Sequence, residues 1–551
     1  MVRHIDTGAG RSLIASNTCL RGSHEADTSR MTLLAALVSA SQRVAATPAR
    51  TAKLRELAAV LQTLQPQEIE IAVDYLSGEI PQGKIGIGFA TLQAAAAVPS
   101  AATPSLSIAE VDARLTELAG IRGGGSTALR AEVLRAFFSQ ATTEEQDFLL
   151  RLLLGELRQG ALAGVMVEAI AGATSLPVAE VRRAAMYAQS LGVVADAAVR
   201  GGSAALGQFQ LQLFSPVTPM LAQVAVDVDE ALGLLAGKAA FEWKMDGARI
   251  QVHKLGEDVR IYTRSLKEIT AAIPEIVELT RGFSERTLVL DGEAIAYDDS
   301  GRPHPFQVTM KRFGRKLNVA ASRADLPISA FFFDCLRFGE ETLTARPTTE
   351  RYAALSAAVP AALIMPRLIT DSPDAARSFY EEAIAAGHEG VMAKSLTALY
   401  EAGNRGASWL KIKHVHTLDL VVLAAEWGHG RRAGKLSNLH LGALDPATGG
   451  YVMLGKTFKG LTDAVLEWQT RELLARETRR DPRTVYVRPE LVVEIAFSDL
   501  QASVRYPGGL ALRLARVKRY RDDKRAADAD TMDAVRRIYA AQSATVDAPP
   551  S

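Results

Sequence analysis

A chain of 551 residues is longer than one hydrophobic core ordinarily serves and points to three or four domains. Apolar residues make up 48%, and 63 Lys and Arg balance 62 Asp and Glu, so this is a globular composition in which basic residues must be located rather than counted. Two cysteines, Cys19 and Cys335, exclude a disulfide framework and a four-cysteine zinc site, and no apolar run nears the roughly 20 residues that cross a bilayer, which by default places the chain in the cytoplasm.

Residues 1–30 are polar and small without a sustained period and are expected to be disordered. Beyond Met31 the pattern turns helical. Leu54, Leu57, Leu61 and Leu64 recur at helix spacing, Ser107 with Glu110 forms a capping box, Thr142 and Glu145 open a further helix, and Leu176-Pro177 opens another. Residues 31–205 are therefore predicted to form an all-helical domain, ending at a hinge between Gly201-Gly202 and Pro216. Two glycine-bearing connections, 78–88 and 155–160, lead toward helix starts. Exposed amides there suit phosphate oxygens, and turns that need glycine for geometry alone fit the spacing equally well.

Strand patterns take over over 206–414. Arg249-Ile-Gln-Val-His253 and Val259-Arg-Ile-Tyr-Thr-Arg264 alternate around a Leu-Gly-Glu-Asp turn and predict a hairpin, with Lys244, Asp246 and Gly247 at the bend before it. The glycine is expected to adopt a dihedral closed to other residues. Segments 288–297 and 329–338 read as further strands and 267–281 as a helix, giving an α+β domain. Over 415–535 the stretches LDLVVLAAEWG, YVMLGKTF, TVYVRP and LVVEIAF read as short strands, with one helix near 461–476, the pattern of an OB-fold β-barrel. The basic run 513–525 follows, then an Ala-rich helix and a tail, 536–551.

Gly450-Tyr-Val-Met-Leu-Gly455-Lys456-Thr457 matches the phosphate-binding loop pattern. Such a loop must follow a strand and open a helix, whereas Tyr-Val-Met-Leu is itself strand-like, so the match is read as fortuitous.

KMDGAR, followed in order by YTRSLKEIT, LVLDGEAIAYD, FFFDCLRFG, HEGVMAKS and WLKIK, resembles the ATP-dependent DNA ligases of the covalent nucleotidyltransferase superfamily, nearest to the three-domain bacterial and archaeal type. The resemblance spans about residues 31 to 535. It implies an enzyme that takes AMP from ATP onto Lys244, passes it to a 5′-phosphate at a nick in double-stranded DNA, and seals the nick as a 3′-hydroxyl displaces AMP. It implies that Glu242 reads the adenine amino group, that Phe333 stacks on the base, and that Arg249, Arg264 and Arg405 complete the nucleotide shell. The i, i+2 spacing sets Lys411 on one strand face with Lys413, the resemblance implies that Lys411 contacts the α-phosphate, and these cations are expected to lower the pKa of Lys244. Glu293 and Glu389 resemble the family's magnesium-binding acids, and Arg516 and Lys524 belong to a segment that orients pyrophosphate. Lys84 and Arg158 would join the helical domain's backbone grip on DNA.

Arg513-Leu-Ala-Arg516 replaces the family's usual Arg-Phe-Pro-Arg and keeps both arginines. A monomer associated with the nucleoid through DNA is expected. Another covalent nucleotidyltransferase, an RNA ligase or a GTP-using capping enzyme, would share KxDG but not the helical domain. A nonenzymatic DNA-binding protein on a decayed ligase scaffold is opposed by intact Lys244, Glu293, Lys411 and Lys413.

Overall fold

A computed structural model describes residues 31–544 apart from 84, 158–162, 305, 314–322, 403–405, 414 and 429–431. The expectations for residues 1–30, Lys84, Arg158 and Arg405 lie outside the described residues. None of the described helices is long and apolar enough to cross a membrane.

The first region is helical because its apolar residues fall on single stripes that pack into one cluster, from Leu34 through Tyr75 and Phe137 to Leu206. Ten α-helices, from Leu34–Ala46 to Leu191–Gly207, occupy its described residues. The predicted capping box forms, and the helix opened by Thr142 has one too. Ser107 Oγ accepts from the Glu110 amide at 3.2 Å while Glu110 returns a bond to the Ser107 amide at 2.8 Å, and Thr142 with Glu145 repeats the pattern at 3.3 and 2.8 Å. The helix breaks where expected: Gly202 leaves helical geometry at φ 56° and ψ −145° and kinks Leu191–Gly207, and a short helical stretch follows as far as Gly207.

The next region contains two sheets. One has the order β1 (Gln223–Val224), β10 (Trp409–Lys413), β9 (Gly390–Lys394), β2 (Ala239–Lys244), β8 (Arg367–Thr370), and the other β4 (Asp258–Thr263), β3 (Ala248–Leu255), β5 (Thr287–Ala296), β6 (Ile328–Phe338), β7 (Glu341–Thr342). The predicted hairpin is β3–β4. The helix expected over 267–281 is shorter, Pro274–Arg281, because proline is favoured at the first helical turn, and a single 3-10 turn, Thr270–Ala272, precedes it.

The C-terminal region is a sheet of β11 (His416–Trp427), β12 (Leu436–Leu444), β13 (Tyr451–Thr457), β14 (Glu477–Arg480), β15 (Thr484–Val487), β16 (Val492–Phe497) and β19 (Arg516–Tyr520), beside a ribbon of β17 (Asp499–Ala502) and β18 (Leu510–Arg513). Twelve-residue β11 pairs with β16 along its first half and with β12 and β15 along its second, so it links both parts of the sheet. Helix Asp463–Ala475 covers the core, and Met532–Ala544, which runs past the expected end at 535, adds Met532 and Val535 to it.

Candidate active site

Two rows across β8, β2, β9 and β10 build the site. Lys244 lies opposite Gly390 and Gly390 opposite Lys413; in the next row Glu242 lies opposite Arg367 and Met392, and Met392 opposite Lys411. Opposed residues, and residues two apart on one strand, share a face, so Lys244, Lys413, Glu242, Arg367, Met392 and Lys411 project from one surface. Glycine is required at 390, where φ is +139° and a Cβ would stand 2.2 Å from the Ile412 carbonyl oxygen.

Glu389 joins the two lysines of the first row: Lys244 Nζ and Lys413 Nζ both pair with its Oε2, Lys413 at 2.5 Å. Burial by itself pushes the Glu389 carboxyl up, but Lys244 and Lys413 outweigh it and hold the group at about 2. Burial likewise pushes Lys244 down, and Glu389 outweighs that, so the amine is held above its ordinary value. Lys413 is lowered, by burial and then by Lys244. The expectation that neighbouring cations depress Lys244 therefore fails in the ligand-free site, because the nearest charge is a carboxylate.

Gly247 is needed for space. Its φ is outside the left-handed region expected for it, yet a Cβ would meet the Ala294 carbonyl oxygen at 2.5 Å and Glu293 Cγ at 2.9 Å. The bend after Lys244 thus presses on β5 and brings Glu293 alongside, where burial, offset only in part by Lys244 and Arg249, raises its carboxyl to about 8. Asp246, Glu389 and Asp499 each offer an oxygen within 4.8 Å of the others. Arg513 reaches from the C-terminal region into this cluster, donating from Nη1 to Asp246 at 2.8 Å and to Asp499 at 3.1 Å, with its guanidinium 5.0 Å from the Phe306 ring centroid.

Beside the second row stands Phe333 of β6. Half-buried Phe333 packs with Met392, sets its ring edge-on to Trp409 at 6.1 Å, and lies 4.5 Å from Lys394 Nζ, which also pairs with Glu242 Oε2. Arg249 is locked beside it: Nη1 donates to the Met220 carbonyl at 2.6 Å, Nη2 to Asp291 at 2.6 Å and to the Tyr400 hydroxyl at 3.2 Å. Burial opposes the charge of Arg249, but Asp291 outweighs it and raises the guanidinium further. Gln251, two residues on, donates to the same Asp291 at 3.1 Å, as the alternation of β3 requires.

A lysine at a tight bend beside a carboxylate-rich cluster, with further cations and an aromatic ring next to the same rows, are the parts a nucleotidyl transfer needs. Three family models match this chain in order: DNA ligase N terminus over residues 89–171, ATP dependent DNA ligase domain over 219–413, and ATP dependent DNA ligase C terminal region over 432–524. A probable DNA ligase of Anaeromyxobacter dehalogenans is 58% identical over 92% of this chain and 99% of its own, and one of Mycolicibacterium gilvum is 55% identical over the same shares. The chain belongs to the ATP-dependent DNA ligases. The solved structure Pmar-Lig_PreS3 shares the fold, with a TM-score of 0.58 at 17% identity, covering 88% of the ligase chain and 99% of its own.

Within the ligase, Lys244, Glu242, Arg249, Glu293, Phe333, Glu389, Lys411 and Lys413 gather on or beside the two rows. Arg264 does not. It is exposed and lines a cleft of about 860 Å³ opposite Arg50, Glu168 and Arg182 of the helical region. The basic run also distributes differently from expectation. Lys524 pairs with Asp419 at 2.6 Å, as does Arg521 at 2.8 Å, because that β11 carboxylate is the nearest partner on its own sheet; Arg516 opens β19 and is exposed. Arg513, the first arginine of the terminal motif, is the residue of the run that enters the site; its carboxylate partner there, Asp246, lies 267 residues earlier and so is not legible from the motif. Lys456 sits inside β13 and pairs with Glu426, with no helix following directly, so the apparent phosphate loop is a strand.

Proposed function

We propose that this ligase seals single-strand nicks in duplex DNA through AMP carried on Lys244. Lys244 Nζ attacks the α-phosphorus of ATP, the bond to the β-phosphate oxygen breaks, and pyrophosphate leaves. A 5′-phosphate oxygen at the nick then takes the AMP, freeing the amine, and the 3′-hydroxyl attacks that 5′-phosphorus and expels AMP. The observation that carries this reading is the row Lys244, Gly390, Lys413 with Glu389 between the lysines. Burial and Lys413 favour a neutral Lys244 once Glu389 is drawn to another cation.

Glu242 accepts from the adenine amino group, Phe333 stacks on the base, Arg249 and Lys411 face ribose and phosphate, and Arg513 with Arg516 faces the pyrophosphate. By the family resemblance Arg405 completes the same shell, Arg264 lines the cleft toward the helical region instead, and Lys524 reaches the shell only if the C-terminal region shifts relative to the sheets. Hard carboxylate oxygens in the Asp246, Glu389 and Asp499 cluster fit magnesium, which Glu389 would hold there; Glu293, the family's other magnesium-binding acid by resemblance, is not part of that cluster. Bound there, magnesium would balance charge on the phosphate oxygens. The helical region grips the duplex as a monomer in the cytoplasm.

Incubation with ATP, magnesium and a duplex carrying a labelled 5′-phosphate at one nick tests this. A full-length labelled strand supports the reading; AMP transfer without joining of DNA, or joining of RNA alone, contradicts it.

A further inference from the structure

Arg367 differs from the other described arginines. All three of its guanidinium nitrogens lack a hydrogen-bond partner although only 4% of the side chain is exposed. Leaving a buried cation without hydrogen bonds is costly unless something else completes it. Its face rests on the Tyr352 ring, 3.8 Å from the centroid, which fixes the plane of the fork without engaging a donor. The carboxylate beside it, Glu242, places Oε1 at 3.7 Å, beyond hydrogen-bond reach, and that oxygen is buried and unpartnered as well. The other Glu242 oxygen is taken by Lys394. An unused set of donors and an unused acceptor therefore lie side by side, at the end of the row that continues through Met392 to Lys411.

A ligand satisfies both only if it presents a donor next to an acceptor. The adenine amino group is such a donor, flanked by the ring nitrogens N1 and N7 as acceptors. We propose that Arg367 is a base-reading residue, donating to the ring nitrogen beside the amino group while Glu242 Oε1 accepts from the amino group itself. Guanine places an oxygen where adenine has the amino group, which turns an acceptor toward the Glu242 carboxylate. The inference rests on the proposed transfer of AMP to Lys244.

The full-length ligase and Arg367→Met are compared in single-turnover formation of the AMP adduct with ATP, 1-deaza-ATP and 7-deaza-ATP. The parent is expected to lose about tenfold or more in kcat/KM with one of the two analogues, the usual scale for a charged hydrogen bond. Arg367→Met is expected to lose a similar factor with ATP and then to be indifferent to that analogue. A residue that merely props up Glu242 would leave the variant as sensitive to the missing nitrogen as the parent, and that result overturns the proposal. A parent indifferent to both analogues overturns it too. If Arg367→Met does not fold, Arg367→Lys, which keeps the charge and loses the planar fork, is measured in the same way. A parent that forms no adduct with ATP itself refutes the adenylation reading, an outcome distinct from either of these.

Discussion

Lys244 Nζ pairs with Glu389 Oε2, and the same oxygen holds Lys413 Nζ at 2.5 Å. One carboxylate thus neutralises two half-buried cations, and its removal leaves two like charges facing each other. Glu389→Gln is expected to cost roughly 3 kcal/mol of stability, the scale for breaking a buried pair. Because the folded-state carboxyl is depressed from 4.5 to about 2, its contribution is present above pH 4.5 and is lost as pH falls from 4.5 toward 2. Urea unfolding at pH 7 and pH 3 checks both points: the gap between parent and variant should shrink at the lower pH, and a constant gap would contradict the pairing.

Glu293 has the opposite sign. Burial raises its carboxyl from 4.5 to about 8, so the stability tied to its protonated form is fully present below pH 4.5 and is lost as pH rises through about 8. Glu293→Gln cannot ionise. Between pH 5 and pH 9, in the presence of a chelator, stability should move in favour of the variant by at most roughly 5 kcal/mol. Parallel pH profiles would show that Glu293 is ionised throughout.

Arg513 bridges Asp246 and Asp499 across two regions of the chain, and pyrophosphate is a leaving group only when ATP is the donor. Arg513→Ala is expected to slow adduct formation on the order of a hundredfold, while sealing of a nick that already carries AMP on its 5′-phosphate falls only a few-fold. Single-turnover rates on the two substrates separate the steps. Equal losses in both would assign Arg513 a role throughout the reaction.

Lys456 is engaged with Glu426, which also accepts from Asn438 at 2.7 Å. Lys456→Ala should leave adduct formation within about twofold of the parent and cost under about 1 kcal/mol, because the pair is partly exposed. Loss of the adduct would restore the phosphate-loop reading.

What the sequence disclosed depended on distance along the chain. Alternation in 249–253 placed Arg249 and Gln251 on one face, and both reach Asp291. The i, i+2 spacings in Phe-Glu-Trp-Lys and Trp-Leu-Lys-Ile-Lys placed Glu242 with Lys244 and Lys411 with Lys413, and the register of β2, β9 and β10 joins those pairs into rows. Arg367 was not legible, because β8 is four residues long and its partner strand comes more than a hundred residues earlier. Strand β12 was missed as well, since its pairing with β13 shifts register between Leu441 and Gly442 and the alternation breaks there. The charge state of Lys244 was misjudged for a related reason: counting nearby lysines omitted Glu389, which pairing across β2 and β9 brings to the amine.

The most direct measurement is the intact mass of the ligase after incubation with ATP and magnesium, followed by peptide mapping. The parent should gain one AMP, located on the peptide containing Lys244, and Lys244→Ala should gain none while still sealing a nick that carries AMP on its 5′-phosphate. An adduct on Lys244→Ala, or one mapped to any other lysine of the parent, would contradict Lys244 as the nucleophile.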